Sequence, residues 1–131
     1  HHTVHTFPKP LVAAINGHAV AGGLDLALMC DLRVAGSDAR LGQPQVRQGI
    51  PATHDLLAAV VGPTHARDLC LTGRVVDADE ALRLGLVSRV TDPDDTLATA
   101  LELATDLASL PAAVATKQQF LADQPTVFPA D

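Results

Sequence analysis

The hydrophobic positions of this 131-residue chain fall into short runs stopped by Gly, Pro or an Asn-Gly pair, and the spacing inside each run predicts the element it builds. After Pro8 and Pro10, which favour extended backbone, the apolar run at 11–15 closes on Asn16-Gly17, a strand followed by a turn. From Gly22 to Cys30 nearly every residue is apolar, which predicts a helix buried on all sides. "CDLRVAG" at 30–36 predicts a second strand, and "ARLGQPQV" at 39–46 a third extended piece. Three short helices follow. The first takes Thr53 as N-cap and stops at Gly62, the second opens on Pro63, and the third has Asp77 ahead of a first turn holding Asp79 and Glu80. A last strand at 86–90 precedes two helical patterns, 94–109 and 111–122, separated by Pro111. Strands alternating with helices predict an α/β fold with a helical tail.

The tail carries apolar faces that need a surface to cover them. Leu97, Leu101, Ala104 and Ala108 line one helix, and Val114, Gln118 and Leu121 part of the other. Contiguous apolar patches drive association, so residues 94–122 are expected partly at an interface in an oligomer.

Composition narrows the function. With 47% hydrophobic and 18% charged residues the chain belongs with globular domains. A net charge of −6, without Trp or Tyr, argues against nucleic acid, which wants a basic surface or stacking platforms. No apolar run reaches the length of a membrane span, and the first residues lack the order of a signal peptide, so no membrane partner and a cytoplasmic location are expected. Cys30 and Cys70 sit inside apolar helical patterns, where a buried free thiol is expected. His1 and His2 have no Cys or carboxylate at ligand spacing, so no metal site is expected.

The chemistry concentrates in "AINGHAVAGGLDLALMCD", residues 14–31. A small-residue turn, Ala21-Gly22-Gly23, lets a ligand approach backbone N–H groups that a helix start leaves unpaired, a setting suited to the oxyanion of a polarised carbonyl. Asp25 puts a carboxylate into an otherwise apolar first turn. The dipole benefit there is about 0.3–1 kcal/mol, small beside the cost of desolvating a charge, so a site role is favoured over a structural one.

Taken in order, "KPLVAAINGHAVAGGLDLALMCDLRVA", "LGQPQVRQGIP", "LTGRVVDADEALRLGLVSRV" and "VATKQ" resemble the enoyl-CoA hydratase/isomerase (crotonase) family over most of residues 8–119. The resemblance implies a crotonase-like (ClpP/crotonase) α/β fold: a repeated ββα core with a C-terminal helical region. The core would be partial, over 1–93, and the helical trimerisation region truncated, over 94–131. It also implies an acyl-CoA thioester as substrate, no other cofactor, and a homotrimer or hexamer. The family's N-terminal portion has no counterpart here, so the chain reads as a fragment.

By the same resemblance Gly22, with Gly23 beside it, offers its N–H to the thioester oxygen. Asp25 stands where hydratases of the family usually carry a catalytic Glu, and Gln45 where they carry a second one. An Asp carboxylate sits about 1 to 1.5 Å further back than that of a Glu, a displacement that matters in catalysis. Gln45 exchanges no proton at neutral pH, so the two-carboxylate hydration mechanism is incomplete and conventional hydratase activity is doubtful. His18, before the glycine turn, is expected to line the pocket or pack. His54, beside Asp55 in a loop that lacks the family's glycines, is either a proton carrier or an exposed first-turn residue. The resulting expectation is an acyl-CoA-processing enzyme, lyase or isomerase. The alternative is a catalytically impaired acyl-CoA-binding paralogue or scaffolding subunit.

Overall fold

The computed structural model describes residues 2–123. A helical turn α1 (His2–His5) leads to β1 (Val12–Ile15), β2 (His18–Val20), α2 (Gly22–Leu28), β3 (Leu32–Gly36) and β4 (Arg40–Gly42). A 3-10 turn (Pro44–Gln48) and α3 (Asp55–Thr72) follow, then β5 (Val75–Asp77), α4 (Ala78–Leu84), β6 (Arg89–Thr91), α5 (Thr96–Ala108) and α6 (Ala113–Asp123). Residue 1 and residues 124–131, the end of the expected helical region, lie outside the described residues.

The order β1, β2, α2 and then β3, β4, α3 is a ββα unit used twice. The first strands of the two units pair in parallel, Val12 opposite Leu32, and β6 extends that sheet to the order β1-β3-β6. The second strands also pair in parallel, His18 opposite Arg40, and β5 adds antiparallel to give β2-β4-β5. Along β3 the side chains alternate between two cores, as the period of a strand requires. Val34 packs with Ala100 and Leu103 of α5, while Ala35 faces the main core with Leu24, Leu41, Leu57 and Leu69. Each fully buried leucine contributes about 1.5–3 kcal/mol, which makes this core the main support of α2 and α3.

Two helices differ from expectation. Over α2, Leu24, Ala27 and Leu28 are buried, but Leu26 is 44% exposed, so the helix is not covered on all sides. Its uniform apolar composition marks no face, and a helix this short meets the core with only one. The helices expected on either side of Gly62 are both present within α3, which breaks at Gly62 (φ 84°, ψ 162°) where Pro63 opens the second and brings no N–H to the ladder; what differs is the start of the first. The N-cap is His54 rather than Thr53, and no side chain caps that end.

The helix after β5 starts as its sequence predicts, with Asp77 Oδ1 accepting from the Glu80 N–H at 2.9 Å. Just before it, Arg74 donates to Asp68 Oδ2 and Glu80 Oε2, both at 2.8 Å, tying the end of α3 to α4. α5 lies on the β1-β3-β6 sheet, leaving Leu97 and Leu101 on its outer face, 59% and 58% exposed. Lys117 is the buried residue of α6, and its Nζ lies 2.6 Å from Asp31 Oδ2, which also accepts from the Leu11 N–H.

The hydrogen bond from Arg74 holds Asp68 and Glu80 below their ordinary values of 3.8 and 4.5. Carboxylates with lowered folded-state values add stability that is fully present above those ordinary values and is lost as the pH falls below them. Both acids are partly exposed, so solvent keeps the gain modest. R74M should therefore show a shallower fall in urea midpoint than the parent between about pH 5 and pH 3. Equal slopes in the two proteins would contradict this.

Candidate functional site

The second strand of the first unit ends in a backbone turn that few side chains tolerate. Ala21 has φ 53° and ψ −124°, the one non-glycine residue with positive φ among the described residues. Its N–H donates to Gly42 O at 3.1 Å and its carbonyl accepts from the Asp25 N–H at 2.9 Å, so the turn is fixed to β4 on one side and to α2 on the other. Gly42 is closely packed there, since a Cβ would meet Arg74 O at 3.0 Å and Val75 Cα at 3.2 Å and the backbone of β5 would have to give way.

Gly22 and Gly23 differ from Gly42. Neither has positive φ, and a Cβ at either would meet nothing within 4 Å. Both are exposed. Packing therefore does not account for them, and what they provide is open access to the backbone of the first turn of α2.

Asp25, half-buried, is not isolated. Its Oδ1 accepts from Gln43 Nε2 at 2.8 Å, and Gln43 Oε1 accepts from Gln45 Nε2 at 2.8 Å. Gln43 is fully buried between them. The directions are forced by chemistry: an ionised carboxylate only accepts, so Gln43 turns its NH2 to Asp25 and its oxygen to Gln45. The structure thus joins Asp25 and Gln45 through a residue the sequence reading missed. The available signal was the pair of glutamines flanking Pro44 in "GQPQ", of which only the second stood out.

His54 is 62% exposed, with Nε2 3.5 Å from Asp55 Oδ1. It lines a cavity of about 730 Å³ with Ile50, Pro51, Arg67, Cys70 and Leu71. Burial pushes the Cys70 thiol up, and the charge of Asp25 adds to the shift, so this cavity lies within electrostatic reach of the Asp25 chain. His18 is exposed at the start of β2, opposite Arg40, rather than packed. It belongs neither to that cavity's lining nor to the hydrogen-bond chain, because the first position of a short strand points it outward.

A second cavity, about 510 Å³, lies beneath α6 and is bordered by Cys30, Arg33, Lys117 and Phe120. Arg33 spends its donors on the carbonyls of Leu86, Cys30 and Ala27, and burial lowers it from its usual value. Burial likewise raises the Cys30 thiol, with Arg33 opposing the shift. These groups anchor the C-terminal end of α2. Among the described residues no group of three or more His, Cys, Asp or Glu could hold a metal ion, and no single helix is long and apolar enough to cross a membrane.

A model of the enoyl-CoA hydratase/isomerase family matches residues 1–126. The chain belongs to that family. A short-chain-enoyl-CoA hydratase of Clostridium acetobutylicum is 43% identical over 115 residues, 85% of this chain and 44% of that protein. Crystal structures of enoyl-CoA hydratases from Mycobacterium avium and Mycobacterium tuberculosis superpose with TM-scores of 0.83 and 0.82 at 37% and 38% identity. Each comparison covers 88% of this chain and 54% of the other. The chain spans less than half the length of the curated relatives it matches. The crotonase-like fold expected from the motifs is therefore the fold observed, in about half the length of a full family member.

Ala21, strained at φ 53° and ψ −124°, costs about 1–3 kcal/mol, whereas glycine would lose about 0.5–1 kcal/mol in chain entropy. The balance favours A21G, which should raise the melting temperature by a stabilisation of about 1 kcal/mol. A lower melting temperature would show that Ala21 is not strained.

Proposed function

We propose that the intact protein is an enzyme acting on acyl-CoA thioesters, in which the Gly22 N–H polarises the thioester carbonyl and Asp25 alone transfers the proton. The reading is carried by one observation: the chain Asp25, Gln43, Gln45 contains a single carboxylate. Water addition to a 2-enoyl thioester is best served by two proton-transferring groups, one to activate the water and one to protonate carbon, and an amide does neither. A double-bond shift needs only one. A base takes a proton from C2 of a 3-enoyl thioester, the enolate charge rests on the thioester oxygen, and the same acid returns a proton to C4. The open backbone beside Gly22 and Gly23 supports this reading by leaving room for that oxygen, and such a donor is worth on the order of 3 kcal/mol where it has been tested. Coenzyme A enters as part of the substrate.

A catalytically impaired thioester-binding protein is the second reading, favoured by the amide at position 45. The outer face of α5, with Leu97 and Leu101 exposed, supports self-association as a trimer or hexamer.

With the intact protein, isomerisation of 3-hexenoyl-CoA should exceed hydration of crotonyl-CoA, and D25N should lower isomerisation by about 100-fold or more. Hydration at the rate of an ordinary two-carboxylate hydratase would contradict the single-carboxylate reading. Binding of both thioesters without turnover would select the impaired protein.

A further inference from the structure

The cavity beneath α6 borders the end of α2 opposite to Gly22 and takes no part in the chemistry proposed above. At about 510 Å³ it falls within the range of small-molecule sites, about 300–1,000 Å³. Its wall is apolar along Leu28, Leu56, Val60 and, from α6, Phe120 and Leu121. Lys117 and Arg33 also border it, and neither is used up by its protein partners. Lys117 is 3% exposed, and its ammonium carries three N–H groups, of which Asp31 Oδ2 takes one at 2.6 Å. Arg33 gives Nε to Leu86 O and Nη1 to Ala27 O and Cys30 O, which leaves Nη2 with no acceptor among the described residues. The two cations act on the same spot: burial raises the Cys30 thiol, and Arg33 and Lys117 both oppose that rise while Asp31 adds to it. Two positive charges thus stand against the one negative charge of Asp31 at this end of the cavity. Asp55, also on the border, is 64% exposed, and solvent screens its charge. An excess cation in an enclosed, largely apolar setting is costly, and a bound anion balances it.

We propose that this cavity binds a free monocarboxylate with an apolar body. The carboxylate accepts hydrogen bonds from Lys117 Nζ and Arg33 Nη2, and the hydrocarbon lies against Leu56, Val60 and Phe120. The charge count selects a single negative charge, and the apolar wall selects a hydrocarbon over a nucleotide or a sugar. Asp31 keeps its bond to Lys117, so α6 stays docked over the ligand. A thioester has no free carboxylate on its acyl group, so the site discriminates against the substrate class read at the other end of α2. The proposal does not rest on that reading, because its ligand carries no thioester.

The test is calorimetric titration of the intact protein with octanoate, and with 1-octanol as the neutral ligand of the same chain length. Octanoate should bind about tenfold or more tightly than 1-octanol, the worth of one hydrogen bond to a charged group. K117M, which keeps the length of the side chain and removes its charge, should lose about tenfold for octanoate and less than about twofold for 1-octanol. Because K117M leaves Asp31 without its cation and weakens the docking of α6, A59F is the second arm. Ala59 is exposed on the cavity border, so a ring there occupies the cavity without touching the core, and both ligands should bind about tenfold more weakly. Saturating butyryl-CoA should leave octanoate binding unchanged. No binding of octanoate, equal affinity for the two ligands, unchanged affinity in A59F, or displacement of octanoate by butyryl-CoA would overturn the proposal. Failure of the parent to bind butyryl-CoA would count against the thioester reading alone.

Discussion

The hydrogen bond from Gln43 to Asp25 is the contact around which the site is organised. It joins the helix of the first ββα unit to the chain leaving the second strand of the second unit, so the two units must be in register for the carboxylate to be held. Such a bond to a charged group contributes about 1.5–3 kcal/mol, and it fixes direction as well as strength. Once Asp25 is ionised, every amide along the chain has one orientation. The opposite end of α2 is equally constrained, by Arg33 on the carbonyls of Ala27 and Cys30 and by Lys117 on Asp31. A helix of seven residues is thus anchored at both ends while one of its faces stays open.

That openness gives the glycines their meaning. Gly42 is small because β5 lies against it, and Gly22 and Gly23 are small with nothing against them. Two different physical demands produce the same residue type within a short distance. Ala21, between them in the fold, carries the backbone strain that brings the strand into the helix, and its two main-chain hydrogen bonds keep the strained geometry in place.

Much of this was legible in the sequence, and the reasons differ by element. β1, β3, α4 and the two C-terminal helices were marked by local signals: a terminating Asn-Gly, a strand's alternation, the Asp77 cap and the stop at Pro111. β2 and β5 were not, because strands of three residues are too short to show a period and exist through pairing with β4. Of the candidate site residues, Gly22, Gly23 and Asp25 stood out by residue type at the start of an apolar helix and Gln45 only through the family resemblance, whereas Gln43 was not named, since its role comes from lying between two side chains that only the fold brings together. The exposed face of α2 was illegible for a similar reason. Hydrophobicity marks what can be buried, and the neighbours decide what is.

In the proposed mechanism the backbone of the Ala21 turn and Asp25 are the two groups that meet a thioester. A crystal structure of the intact protein with butyryl-CoA bound tests it most directly. The thioester oxygen should lie about 2.7–3.1 Å from the Gly22 nitrogen, the range for a working oxyanion donor, with C2 of the acyl chain facing the Asp25 carboxylate. A thioester oxygen bound elsewhere, for instance in the cavity beneath α6, with Gly22 N–H bonded to protein, would contradict it.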